Sequence, residues 1–330
     1  MIANFLDYAE DLKPSLDAAF AGHLAHLLGD THSLCSYEEG KLMTGGKKIR
    51  GTLLCLVATT LGGALEEALP RAIAVELIQT ATLIHDDFVD QHRVRRNLPA
   101  IWTLEGARRA VLLGDIVFSS AIQMMSELGR EDGLIVSRAI AEVSRGAYHE
   151  PLDPAVLMEE IEACRLDTTL YEKIIRLKTG VLFGAACQLG AVAAGVGGNS
   201  RWAWHRYGVK IGEAYQVADD LHEVERALRT RSMTANEVAA LAPALLFFDE
   251  ESRPHIIRAL RQGLLELKGE LPELFQGVAD AMQKDKEKRL RSAVDEIAGN
   301  HPGESRNSLA CAAPWDLIRM FDTAAPASLP

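Results

Sequence analysis

The chain has 330 residues, with 35 Lys and Arg against 46 Asp and Glu, a formal net charge of −11 with histidine neutral. No run of Lys and Arg gathers into a basic face, which argues against a nucleic-acid binder or a protein drawn electrostatically to an anionic membrane surface. With 48% apolar residues and only 26 Gly and 12 Pro, the composition is that of a folded globular protein with ample material for a core.

Apolar residues recur at three and four spacing through most of the chain, and no sustained period-two alternation appears, so the sequence predicts an all-α fold. At the start, MIANFLDYAEDLK carries acids where an export signal would have a positive region and an apolar stretch, and a cytoplasmic protein is expected. Turn residues at 45–46, 62–63, 97–99, 129–133, 151–154 and 195–200 mark loops or caps. Proline-free runs from about 100 to 150 and from 155 to 242 leave room for long helices. The most apolar stretch, 180–198, approaches the length of a membrane span. It is rich in Gly and Ala, contains Gln188 and is bounded by Lys178 and GVGGNS, so it reads as a buried, close-packed helix, and no transmembrane segment is expected. No repeat or linker divides the chain, giving one large helical domain over 1–300 and a loosely packed tail over 301–330. The five cysteines, Cys35, Cys55, Cys164, Cys187 and Cys311, show no ligand-like spacing and read as reduced thiols, mostly in the core.

Chemistry concentrates in two acidic clusters. In LIHDDFVD at 83–90, Asp86 and Asp90 lie about 40° apart on one helix face, one turn from each other. Two such carboxylates repel unless a cation joins them, and hard oxygen ligands with room for water and phosphate suit Mg²⁺. A solvated acidic helix end is the alternative. In YQVADDLHE at 215–223, Asp219 and Glu223 repeat the one-turn spacing, and helical bundles build metal sites from such inward carboxylates. Lys47, Lys48 and Arg50 follow a glycine pair, Arg95 and Arg96 follow the first cluster, and Lys178 and Thr179 stand before the second. Cations beside bound metal suit a diphosphate. His85 reads as a hydrogen-bonded structural residue rather than a metal ligand.

GGKKIR at 45–50, HDDFVD at 85–90, RR at 95–96 with Pro99, GD at 114–115, KTG at 178–180 and YQVADD at 215–220 occur in the order and at nearly the spacing of trans-isoprenyl diphosphate synthases. The resemblance covers roughly residues 40–225. It implies a helical bundle of the isoprenoid synthase type with a central apolar cavity, usually a homodimer. Such an enzyme joins an allylic diphosphate to isopentenyl diphosphate using Mg²⁺, with three ions per site when substrate is bound. By the same resemblance Asp86 and Asp90 are ligands of two ions with Asp87 supporting them, and Asp219 is the ligand of a third with Asp220 and Glu223 nearby. Lys47, Arg50, Gln79 and Arg96 match positions that hold isopentenyl diphosphate, while Arg95, Lys178, Thr179 and Gln216 match the allylic side.

The sequence departs from the family pattern at four places. Glu223 stands where the last acid of the second motif is usually Asp, Asn97 replaces the usual Gly after the arginine pair, and Ala100 replaces Thr. The segment after Glu223 has no Lys until Lys268, where the family carries Gly-Lys pairs on a mobile loop, and Arg229 or Arg231 is the candidate substitute. Small residues at Ala81 and Thr82, where short-chain members place an aromatic floor, favour products of twenty carbons or more. Met124 and Met125 are candidates for a deeper floor, or core filler. Two other readings compete. A class I terpene cyclase would share the ionisation chemistry but not need Lys47, Arg50 and Arg96, and a non-catalytic regulatory subunit would typically lose the acidic motifs kept here.

Overall fold

The computed structural model describes residues 4–29, 42–150, 154–163, 169–298 and 307–322. Among the described residues helices dominate and the strands form only two short antiparallel ladders, as the helical periodicity predicts. The chain divides into two compact units.

The first unit is drawn from Met1–Glu142, Leu182–Gly208 and Val294–Leu317. It contains α1 (Phe5–Gly29), α2 (Ile49–Thr60), α3 (Leu65–Val89), a hairpin of β1 (Val94–Arg95) and β2 (Leu98–Pro99), α4 (Ile101–Glu105) and α5 (Ala107–Leu128). Helix α2 buries residues on every side, as a core helix must. Helix α5 buries Ala110, Leu113, Gly114, Val117, Ala121 and Met125, one stripe at helical spacing, and packs along α3. By length and composition alone α5 is apolar enough to cross a membrane, although only 28% of its most apolar window is buried. Its outward side leaves Val111, Leu112 and Ile116 exposed. Helix α6 (Arg130–His149) follows at once, so that Gly133, expected in a loop, is helical.

The apolar stretch near 180–198 forms α9 (Val181–Ala193), buried almost throughout. Its Gly190 serves close approach: a Cβ there would stand 2.5 Å from the Leu54 carbonyl oxygen. On α10 (Gly198–Thr230), a Cβ on Gly208 would stand 2.3 Å from the Phe183 carbonyl oxygen. Asn199 and Ser200, expected in a turn, already belong to α10. Where the composition suggested a loose tail, Asn307–Asp322 form α14, with Ala310, Ala313 and Leu317 buried. Tyr207 donates to the Ala310 carbonyl at 2.6 Å, and the Phe5 N–H donates to Asp316 at 3.1 Å. Prolines 14, 70, 243 and 314 all lie inside helices, so proline marks boundaries less strictly than expected.

The second unit is drawn from Val143–Val181, Val209–Ala293 and Ile318–Pro330. It holds α7 (Pro154–Glu162), α8 (Leu170–Ile174), a π-helical turn (Ile175–Gly180), β3 (Ser232–Thr234), α11 (Ala235–Phe248), α12 (Arg253–Gln262), β4 (Leu264–Glu266) and most of α13 (Leu271–Ile297). Phe275, Met282, Leu245 and Ile256 lie in its apolar core. A buried Arg289 ties α13 to α10 by bonding Glu213 at 2.8 Å, and bonds Asp285 on its own helix at 2.6 Å. Cys55 and Cys187 are buried free thiols, and burial pushes Cys55 up to about 12. Cys311 is half-buried. Cys35, Cys164 and the loop expected at 151–153 lie outside the described residues.

Candidate active site

The first acidic motif closes α3. Asp90 caps the helix, its N–H bonding the Asp86 carbonyl at 2.8 Å, so Asp86 and Asp90 stand one turn apart. They sit where the helix dipole is already negative, which adds to their mutual repulsion and to their attraction for a cation. Asp87 is buried and paired: Arg95 approaches its Oδ1 with Nε at 2.6 Å and a terminal nitrogen at 2.5 Å. The roles expected separately for Asp87 and Arg95 therefore start from one ion pair.

Arg96 and Asn97 form the two-residue turn of the β1–β2 hairpin, with φ of 52° and 61°. Such a turn needs left-handed residues, and Asn adopts that region more readily than most side chains, which accounts for Asn97 in place of Gly. The Arg96 guanidinium lies over Gly46, where a Cβ would come within 2.6 Å of it. Lys48 caps α2 and is buried, donating to the Thr44 carbonyl at 2.6 Å and pairing with Asp17 at 2.8 Å, whereas Lys47 is exposed. Arg50 stacks 4.5 Å from the Phe183 ring. Beneath them Glu76 accepts the Gly51 N–H at 2.7 Å. Burial pushes the Glu76 carboxyl up, and the nearby Lys48 and Arg50 oppose that shift. Gln79 lies one turn further along α3 and is half-buried. A small cleft of about 30 Å³ opens between Met43, Thr80, Ile84, Asp87, Arg95 and Arg96. Ala81 and Thr82 are buried on α3, and Met125 is buried on α5.

The second motif lies on α10. Asp220 accepts from the Tyr171 hydroxyl at 2.7 Å and from Gln216 Nε2 at 3.1 Å, and Thr179 donates to Gln216 Oε1 at 2.7 Å. Desolvation outweighs these bonds and pushes Asp220 up to about 7. Asp219 reaches solvent, yet the surrounding protein desolvates it and, with Glu223 beside it, raises its carboxyl above the ordinary range. Glu223 is engaged by Arg226 Nε at 2.7 Å, and Arg226 also reaches Glu237 at 2.8 Å. Glu237 completes a capping box with Thr234. The stretch after Glu223 is thus helix to Thr230, followed by β3 paired to β4. Arg229 and Arg231 are exposed.

Lys178 and Thr179 sit in the π-helical turn, a form found often at functional sites. Lys178 is paired with Glu150, a residue that no motif in the sequence singles out. Nothing in local spacing marks it, since Glu150 is 28 positions away. Gly146 permits the approach, because a Cβ there would stand 2.7 Å from the Lys178 backbone nitrogen. Among the described residues no three His, Cys, Asp or Glu side chains are grouped to hold a metal by themselves. Carboxylates in one-turn pairs fit Mg²⁺, which keeps several waters and takes one or two carboxylates together with substrate phosphates.

A family model for polyprenyl synthetase matches residues 36–230. The chain belongs to the polyprenyl synthetase family. Every candidate site residue, from Lys47 to Glu223, lies inside the matched segment. It is 32% identical over 308 residues to a short chain isoprenyl diphosphate synthase of Methanothermobacter thermautotrophicus, spanning 87% of this chain and 90% of that one. To a geranylgeranyl diphosphate synthase of Methanosarcina mazei it is 30% identical over 229 residues, 67% of each chain. A polyprenyl synthase of Caulobacter crescentus, solved with calcium and isoprenyl diphosphate, matches at TM-score 0.70 and 25% identity over 94% of this chain and 98% of that one.

Proposed function

We propose that this chain is a trans-prenyltransferase that joins an allylic diphosphate to isopentenyl diphosphate and releases a prenyl diphosphate of twenty carbons or more. The observation that carries the reading is the repeated carboxylate pair, Asp86 with Asp90 on α3 and Asp219 with Glu223 on α10, in a chain that also keeps the cations of the family motifs. Asp86 and Asp90 are assigned to two Mg²⁺ ions and Asp219, with Asp220 and Glu223 beside it, to a third. Bound there with substrate, Mg²⁺ supplies Lewis acidity to the charge that develops on the leaving diphosphate.

The chain's own groups do the rest. Lys47, Arg50, Gln79 and Arg96 hold isopentenyl diphosphate. Arg95, Lys178, Thr179 and Gln216 hold the allylic diphosphate, with Arg95 and Lys178 turning part of their charge away from Asp87 and Glu150 to do so. The allylic C–O bond breaks with its electron pair leaving on the diphosphate, the isopentenyl double bond closes the new C–C bond, and a proton passes to the departing diphosphate. Apolar helices exclude the water that would quench the allylic cation. Small side chains at Ala81 and Thr82 leave the chain room to grow, which supports products beyond fifteen carbons. The exposed Val111, Leu112 and Ile116 on α5 support pairing of two copies, the homodimer expected of the family.

The test is incubation with Mg²⁺, labelled isopentenyl diphosphate and, separately, geranyl or farnesyl diphosphate, with chain-length analysis of the products. A ladder reaching twenty carbons or more is expected, and Asp86→Ala or Asp219→Ala should lower turnover by about 100-fold or more, the scale of losing one transition-state charge contact. No incorporation from either primer would overturn the reading in favour of a cyclase or a non-catalytic subunit.

A further inference from the structure

The residue just before the first carboxylate takes no part in the chemistry above. His85 lays its ring on α5, with Nε2 3.0 Å from the Val111 carbonyl oxygen and the ring centroid 5.4 Å from that of Phe118. A carbonyl only accepts, so this bond requires the ring proton on Nε2. The seat beneath it is made by Gly114: a Cβ there would stand 2.2 Å from Nε2 and 2.6 Å from Cδ2. Any other residue at 114 would displace the ring, which explains the glycine of the GD motif by contact rather than by backbone freedom.

The last turn of α3 needs such a hold. Helix ends lack intrahelical partners for their final carbonyls, and this end also carries Asp86, Asp87 and Asp90, whose charges repel one another and the helix dipole. The Arg95 pair restrains Asp87. His85 is the lateral tie to the neighbouring helix. We propose that His85 is a positioning residue, seated in the Gly114 notch, that holds the end of α3 so that Asp86 and Asp90 meet the metal in one fixed arrangement. The inference rests on the metal assignment made above.

Mn²⁺ with inorganic diphosphate serves as the probe, followed by metal-dependent thermal stabilisation and by electron paramagnetic resonance, so that no turnover is required. His85→Ala should raise half-saturating Mn²⁺ about tenfold, the scale for residues that orient metal ligands, while the melting temperature without metal changes little. His85→Gln, whose amide N–H can also reach a carbonyl, should recover part of the affinity. Gly114→Ala should weaken metal binding as strongly as His85→Ala, yet add nothing when combined with it, because no ring remains to be displaced. Wild-type Mn²⁺ affinity in His85→Ala, or additive effects of the two substitutions, would overturn the proposal. Wild-type protein that binds Mn²⁺ and diphosphate but elongates no primer overturns the prenyl-transfer reading alone.

Discussion

Asp219 and Asp220 are neighbours in sequence with unlike surroundings. Asp219 reaches solvent, while Asp220 is bonded to Tyr171 and Gln216 and desolvated, which pushes it up to about 7. Between the ordinary aspartate range and that value, the native protein holds a proton that the unfolded chain has released. Stability therefore declines as pH rises through this window and is level above it. In EDTA, Asp220→Asn removes the slope, so the melting temperature of the variant minus that of the wild type should grow from pH 5 to about pH 7 and then stay constant. A difference independent of pH would show that Asp220 titrates normally. At this scale the carboxylate pairs were legible from helical spacing and the cations from their place beside the motifs, but the pairings between them were not. A sequence exposes the charges of Asp87 and Arg95, or of Lys178 and Glu150, without saying which are already neutralised, because that depends on how the hairpin and the π-helical turn bring distant positions together.

The acidic motifs were readable at the scale of elements because three-and-four spacing survives any tertiary context. The π-helical turn was not, since it answers to contacts made by Gly146 and Gly180 with other segments. Helix α14 was hidden by a Pro- and Gly-bearing flank, although its apolar positions 310, 313 and 317 keep helical spacing. Close packing between elements gives a direct test. A Cβ on Gly208 would meet the Phe183 carbonyl at 2.3 Å and Cys187 Sγ at 2.8 Å, and such overpacking costs about 1–3 kcal/mol, more than the helix-propensity gain of about 1 kcal/mol for Gly to Ala. Gly277 on α13 has nothing within 4 Å of a Cβ. Thermal melts should show Gly208→Ala less stable than wild type and Gly277→Ala equal or more stable. Equal effects would mean that propensity, not packing, decides both.

For the molecule as a whole, the net charge of −11 favours solubility and works against self-association, so the homodimer proposed above requires a patch with few charges. Leu112 is 50% exposed on α5. If the wild type sediments as the proposed dimer, Leu112→Glu should halve its mass, and a mass that stays dimeric would place pairing elsewhere. A monomeric wild type would overturn the dimer. The order of the segments has a further consequence for how the chain is made. The first unit draws on Met1–Glu142, Leu182–Gly208 and Val294–Leu317, and Phe5 at its beginning bonds Asp316 near its end. At about 5–20 residues per second on the ribosome, helices α1 to α5 wait tens of seconds for the segments that complete their core. During synthesis the half-built unit exposes the apolar faces that α9 and α14 later cover, and that interval, rather than the finished fold, is when this chain most needs a chaperone.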